Sequence, residues 1–215
     1  PFIDNNENGI RDEFRPATSP DKYYILGTDN QGRNVLSRLI YGFRISISFA
    51  IVVCSLSYII GIIMGGILGF FGGKIDLIGL RIIEIWGSFP FFFMLMVLAT
   101  FIKPTIYILA TMYVFLTGWI SITWYIRGEF LREKSKDYVS AAVSMGQSNW
   151  KIMFKHILPN ALTPIVTFAP FAIIGYISAL VALDYLGFGL QPPTPSWGEL
   201  MSQGRSNLQN WHLIL

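Results

Sequence analysis

Asp4, Asn6 and Asn8 place oxygen ligands at alternate positions, and Gly9 follows where a calcium-binding loop turns sharply. Such a loop needs a bidentate Glu at its twelfth position, and Arg15 stands there, a cation in place of the strongest anion. The stretch reads as a solvated turn, with calcium as the alternative. Other reactive residue types are sparse. His156 and His212 lie far apart, no metal-ligand spacing occurs, and the one cysteine, Cys54, sits inside an apolar run as a small apolar side chain. An intramembrane enzyme would need a nucleophile–base pair or metal ligands at membrane depth. Ile45–Phe71, Ile85–Ile102, Pro104–Ile126 and Ile157–Leu183 contain no His, Asp or Glu. No catalytic or metal-binding residue is assigned, and no cofactor is expected on this chain.

Composition makes this a membrane protein. Of 215 residues, 53% are hydrophobic and 13% charged, and mean hydropathy is +0.50. That charged share is about half of what a soluble domain carries. The net charge of +3 does not point to nucleic acid, because the basic residues fall between apolar runs rather than on one face. The four apolar runs named above are each read as a membrane span. The fold class is therefore all-α and polytopic. The chain opens without a methionine and stops within Trp211–Leu215, so it is expected to be a fragment with four complete spans and the start of a further one.

What remains polar must carry the function. Asp137–Asn160 reads DYVSAAVSMGQSNWKIMFKHILPN, an island that overlaps the basic loop 127–156. Tyr138–Met145 and Ser148–Ile157 both read as helix, with Gly146 between them to supply a positive φ. Ala141 and Ala142 leave a small-residue surface, and Pro159 suits the first turn of the following helix.

Ala141-Ala142, Gly146 four residues on, and Leu158-Pro159 together resemble the EAA loop of ABC importer permeases, with Ser140 in the Glu place and His156 in an Ile place. A second run, from Leu26 through Gly27-Thr28-Asp29, Gly32-Arg33-Asn34-Val35, Ser37-Arg38-Leu39 and Tyr41-Gly42 to Ser46, resembles a signature of the C-type permeases of the dipeptide, oligopeptide and nickel branch; Asn34 replaces the usual Asp. A third, Leu186-Gly187-Phe188-Gly189 with Gln191-Pro192-Pro193-Thr194-Pro195 and Trp197-Gly198, is similar to the same branch at the same place.

The resemblance implies a type I, MetI-like importer transmembrane domain in a bacterial cytoplasmic (inner) membrane. It implies that Ser140, Ala141, Ala142, Gly146, Gln147 and Ser148 touch a cytoplasmic ATPase. It further implies two ATPase subunits carrying ATP and Mg2+, a second homologous permease subunit, an extracytoplasmic solute-binding protein, and peptides or nickel as cargo. A passive channel or scaffold is the more distant alternative; it would not need the loop.

The elements that must position these residues follow in order. Residues 1–44 form an extracytoplasmic segment ending in an amphipathic helix, Asn34–Tyr41, with Val35, Leu36, Leu39 and Ile40 on its apolar side. The importer domain occupies 45–215. In the first span Gly61, Gly65, Gly69 and Gly73 recur every four residues, a stripe that lets another helix approach. Arg81 and Glu84 are spaced to pair. Pro90 can kink the second span, and Lys103-Pro104 reverses into the third, whose Trp119, Trp124 and Tyr125 form an interfacial belt. Pro164 and Pro170 interrupt the fourth, which makes Thr163, Pro164, Thr167, Gly175 and Ser178 candidates for a cargo path. Residues 184–210 then leave the membrane, with Ser196 and Glu199 spaced as a capping box.

Lys and Arg divide eight and eight between the two sides. Discounting the long first segment, whose six basic residues are matched by six acidic ones, puts the island in the cytoplasm.

Overall fold

A long charge-free run can satisfy its backbone within itself, without water, by forming a helix, and helices are what these runs form. The computed structural model describes residues 17–206 and 211–213; the calcium-like stretch Asp4–Arg15 lies outside the described residues. In order come α1 (Val35–Phe71), α2 (Gly73–Gly87), α3 (Phe91–Phe101), α4 (Ile106–Tyr113), a π-helical turn (Val114–Gly118), α5 (Trp119–Lys134), α6 (Asp137–Ser144), α7 (Asn149–Lys151), a second π turn (Ile152–Ile157), α8 (Leu158–Tyr185) and α9 (Trp197–Ser206). A short 3-10 turn, Trp211–Leu213, follows. Among the described residues the extended backbone pairs only as one isolated bridge, Thr28 with Asn34.

Among the described residues three helical stretches are long and apolar enough to cross a membrane: Val35–Phe71, Ile106–Lys134 and Ile165–Tyr185. The bent pair Gly73–Gly87 and Phe91–Phe101 makes a fourth if counted as one span. The chain groups into two compact units, one from its ends (Pro1–Ser48 with Ile177–Leu215) and one from its middle (Phe49–Tyr176).

Several sequence expectations are corrected. Asn34–Tyr41 runs straight into the first span, because α1 is unbroken from Val35. Its inward side there is Val35 and Arg38, while Ile40 and Tyr41 are exposed. Arg38 is drawn in by two carboxylates described below. The helix that leads into the second apolar run begins well before Ile85. α2 begins at Gly73, and Ser88-Phe89-Pro90 break the helix with a 65° bend where only a kink was expected. Proline biases the residue before it away from helical geometry, which ends the helix short of Pro90. The third span starts at Ile106, not Pro104, with Thr105 Oγ1 accepting from Ile108 N at 3.3 Å as its cap. Pro159 falls in the first turn of α8, as expected, but α8 does not start from a loop. The backbone is helical from Asn149 onward, and the wide turn Ile152–Ile157 lies just before Pro159. A wider turn relieves the clash between a proline ring and the carbonyl four residues back.

The middle unit is organised on the glycine stripe. A Cβ on Gly61 would lie 2.6 Å from Ile122 Cβ, on Gly65 2.5 Å from the Thr123 carbonyl, and on Gly69 2.7 Å from the Arg127 carbonyl. These three glycines let α1 and α5 touch backbone to backbone. Gly73 does not join them; it has φ +56° with open space around it and belongs to the turn into α2. Arg81 and Glu84 pair as expected, at 2.6 Å. Asp76 makes a bidentate pair with Arg127, at 2.5 and 2.6 Å, and Lys134 donates to the Phe70 carbonyl at 2.5 Å near the C-terminus of α1. Tyr125 stacks on Phe168, with ring centroids 5.0 Å apart.

Candidate functional site

The polar island folds as a turn held from beneath. Val139 and Ala142, three residues apart on α6, are buried with Phe130, Ile152, Met153 and Ile157 in the core of the middle unit. Asp137 in the first turn of α6 complements the helix dipole. At the other end Gly146 takes φ +70°. Gly146 N donates to Val143 O at 2.9 Å and Gln147 N to Ala142 O at 3.2 Å. That pair of bonds is a Schellman motif, which satisfies the last carbonyls of α6 and turns the chain. Ser148 stands before α7, with Ile152 N donating to its carbonyl.

The six residues singled out from the sequence divide. Ser140, Ala141, Gly146 and Ser148 are exposed, and Gln147 is half-buried. Ala142 is 1% exposed and belongs to the core, so it supports the turn rather than presenting a surface. The exposed face carries Val143 (59%) and Met145 (68%) as well, which the sequence pattern did not single out. Gln147 Oε1 is 2.8 Å from His156 Nε2, so one of the two residues that depart from the family pattern ties the turn to the helix after it.

Behind α6, Tyr138 donates to Glu133 Oε2 at 2.9 Å, and Asn160 Nδ2 reaches the Tyr138 hydroxyl at 3.4 Å and the His156 carbonyl at 2.9 Å. Burial, and then the bond to Glu133, push the Tyr138 phenol above its ordinary pKa, so it stays a donor. Replacing Tyr138 by Phe should destabilise this unit by about 1 kcal/mol. Equal denaturation midpoints for Tyr138→Phe and the parent would show the hydroxyl to be idle.

The end unit brings together two stretches that the sequence presents far apart. Asp29 is fully buried and Arg38 is 4% exposed. Arg33 Nε pairs with Asp29 Oδ2 at 2.7 Å, Arg33 Nη2 with Glu199 Oε1 at 3.0 Å, and Arg38 Nη2 with Glu199 Oε2. Trp197 Nε1 donates to the Leu39 carbonyl at 3.0 Å. Ser196 does cap α9, accepting from Glu199 N at 3.3 Å. The reciprocal half of the expected capping box is replaced, because the Glu199 carboxylate goes to the two arginines and to Gln203.

Asp184, near the end of α8, accepts from Leu190 N at 2.6 Å and from Ser196 Oγ at 2.5 Å. A Cβ on Gly189 would lie 1.8 Å from Asp184 Oδ1, and one on Gly198 2.1 Å from the Val181 carbonyl. The glycines of the third motif thus pack the chain against α8. A cleft of about 200 Å3 above them is lined by Asn30, Gln191, Ser202, Gln203 and Ser206. Asp184 and Glu199 beneath it are already partnered, so the cleft offers amide and hydroxyl groups rather than free charge.

Of the candidate path residues, Thr163, Thr167, Gly175 and Ser178 are exposed on α8, and the Pro164 side chain lies outside the described residues. Cys54 is half-buried in α1 and free of any disulfide. Among the described residues no group of three or more His, Cys, Asp or Glu could hold a metal ion.

Comparison with known proteins adds the following. The family described as binding-protein-dependent transport system inner membrane component matches residues 57–208. The peptidoglycan transport system permease protein YejE of Agrobacterium fabrum is 45% identical over 184 residues, covering 86% of this chain and 48% of that protein. The inner membrane ABC transporter permease protein YejE of Escherichia coli is 42% identical over 190 residues, covering 88% and 55%. The oligopeptide transport system permease protein OppC of Haemophilus influenzae is 36% identical over 200 residues, covering 92% and 64%. The chain therefore spans between about half and two thirds of these relatives.

Proposed function

Because this chain belongs to the family of binding-protein-dependent transport system inner membrane components, we propose that it forms the membrane-spanning part of a permease subunit in an ATP-driven importer of short peptides. It is a multi-pass inner-membrane protein, with three helices able to span and a fourth if the bent pair counts as one. The observation that carries the mechanism is the turn Ser140–Ser148: small, exposed residues on a helix whose other face is locked into an apolar core. A partner gripping that face pulls on the whole middle unit, because α6 cannot move without α5 and α8.

In this reading the partner is a cytoplasmic ATPase, present twice, with ATP and Mg2+ bound there and none on this chain. Its nucleotide-driven closure biases the permease between two arrangements through contacts that differ in the two states. A second, homologous permease completes the path. The polar cleft of the end unit suits a solute-binding protein. Cargo is read from the relatives, whose names specify peptidoglycan and oligopeptide transport; short peptides, including peptidoglycan fragments, fit both.

The test is substitution at the turn in the full-length protein reconstituted with its partners. A valine at Gly146 must adopt a φ of +70° that β-branched residues avoid, although nothing crowds its side chain. Local strain of about 1–2 kcal/mol should open the Schellman turn without unfolding the unit. Strain of that size should weaken docking at the turn by about tenfold, the factor that 1.4 kcal/mol makes in an equilibrium constant, and peptide uptake per ATP hydrolysed should fall with it. Uptake that stays fully coupled in Gly146→Val, or that proceeds without ATP, would remove the ATPase from this turn.

A further inference from the structure

Two irregularities in the middle unit meet at one hydrogen bond. The first is the break Ser88-Phe89-Pro90, where α2 and α3 bend by 65°. The second is the π turn Val114–Gly118 between α4 and α5. A π turn widens the backbone ring and loosens carbonyls from their usual partners. In a membrane no water replaces those partners, and an unmet carbonyl is costly. Here two indoles serve. Trp119 Nε1 donates to the Phe115 carbonyl from the same helix at 3.1 Å, and Trp86 Nε1 donates to the Leu116 carbonyl from across, at 3.0 Å. Trp86 is the penultimate residue of α2, immediately before the break.

The packing repeats the connection. Tyr113, the residue before the π turn, sets its ring 4.7 Å from that of Phe91, the first residue of α3, and 5.3 Å from that of Tyr176 on α8. Gly118 closes the turn against α1, where a Cβ would lie 2.2 Å from Ser57 Oγ. Around the break itself the side chains are exposed, Phe89 and Phe93 among them. The break thus has room to flex, while the Trp86 indole ties it to a turn that is itself able to change its hydrogen bonding.

We infer that the 88–90 break and the 114–118 π turn work as a single hinge, and that Trp86 is the positioning residue that makes them move together. When the angle between α2 and α3 changes, the indole transmits the change to the Leu116 carbonyl, and the π turn shifts with it. The link between this hinge and transport rests on the importer reading above; the link between the two irregularities does not.

Hydrogen exchange on the full-length protein in its complex, in lipid nanodiscs, tests the coupling. Trp86→Phe keeps the ring and deletes the donor. Amide exchange should rise about fivefold or more in both 84–93 and 113–121. Trp119→Phe, which removes the local indole, should raise exchange in 113–121 alone. Peptide uptake per ATP should fall at least threefold in Trp86→Phe and stay at the parent value in Trp119→Phe. Exchange in Trp86→Phe that rises in one segment only, or in neither, overturns the hinge.

A second measurement leaves Trp86 in place and so does not depend on that variant folding. Spin labels at Ile78→Cys and Phe93→Cys on a Cys54→Ser background straddle the break, and a pair at Phe89→Cys and Phe115→Cys joins it to the π turn. The first distance should differ between nucleotide-free and nucleotide-bound complex while the second holds constant. A constant first distance, or a second that changes as much as the first, sinks the proposal. Failure of the importer reading would show separately, as absence of ATP-driven uptake in the parent.

Discussion

Valine at Gly65 is expected to abolish correct assembly of the middle unit. Its Cβ would sit 2.5 Å from the Thr123 carbonyl oxygen, 2.9 Å from Ile126 Cβ and 3.0 Å from Arg127 N. Two of these obstacles are backbone atoms and the third is a Cβ, so no rotamer change relieves them. α1 and α5 must separate, and because Gly61 and Gly69 are in register on the same stripe, their contacts with Ile122 and Phe130 are lost as well. Overpacking in a filled core costs about 1–3 kcal/mol where side chains can yield. Here the backbone must yield, and the cost should reach or exceed the top of that range.

The expected readout is a large loss of monodisperse full-length protein after detergent extraction, with Gly65→Ala intermediate. Two controls separate crowding from loss of glycine as such. Gly66→Ala meets only the tip of the Phe130 ring, at 3.2 Å, and should be mild. Gly128→Ala meets nothing within 4 Å inside α5 and should be neutral or slightly stabilising. A Gly65→Val protein that elutes and denatures like the parent would mean that α1 and α5 do not meet along this stripe.

What could be read from the chain without coordinates depended on whether the signal was local. The turn at Gly146 was legible because a Schellman motif is specified within six residues. The stripe at Gly61, Gly65 and Gly69 was legible because its period of four matches a helix face, whereas Gly73 has the same spacing and a different job, since α1 ends at Phe71. The extent of the helix ahead of the second apolar run was not legible because α2 carries Lys74, Asp76, Arg81 and Glu84 among its Ile and Leu residues. A hydropathy window rejects such a stretch. Glu84 is met by Arg81 as its spacing predicts, but Asp76 is met by Arg127, 51 residues away, so a charge that looks unpaired along the sequence is neutralised in space.

Arg38 misled in the same way. It sits among Val35, Leu36, Leu39 and Ile40 and reads as the polar side of an amphipathic helix, yet it points inward because Asp29 and Glu199 wait there. The family motifs marked both regions without saying that they touch. Neither π turn had a signal in the sequence, apart from the proline that follows the second.

That buried cluster carries the second large effect. Asp29, Arg33, Arg38 and Glu199 make a neutral set of two anions and two cations, with side-chain exposure from 0% for Asp29 to 23% for Arg33. Glu199→Ala removes one anion and leaves two guanidinium groups facing one carboxylate. Breaking a buried pair from one side costs about 3–5 kcal/mol; Arg38 keeps Asp29 at 3.4 Å and the Thr194 carbonyl at 3.3 Å, so the lower end, about 3 kcal/mol, is expected here. The damage should concentrate where the pairs act, freeing α9 and the start of α1, and amide exchange should rise there first.

The decisive comparison is the double change Arg38→Met with Glu199→Leu. It deletes one charge of each sign and leaves Arg33 bonded to Asp29 at 2.7 Å. A buried ion pair replaced by apolar side chains of similar volume is often neutral or better. The double variant should therefore regain most of the stability lost in Glu199→Ala, measured as the denaturation midpoint of the full-length protein in nanodiscs. Should Glu199→Ala cost nothing, or the double variant fall as far as the single one, charge balance would not be what holds this unit, and packing by Trp197 and Leu200 would have to account for it.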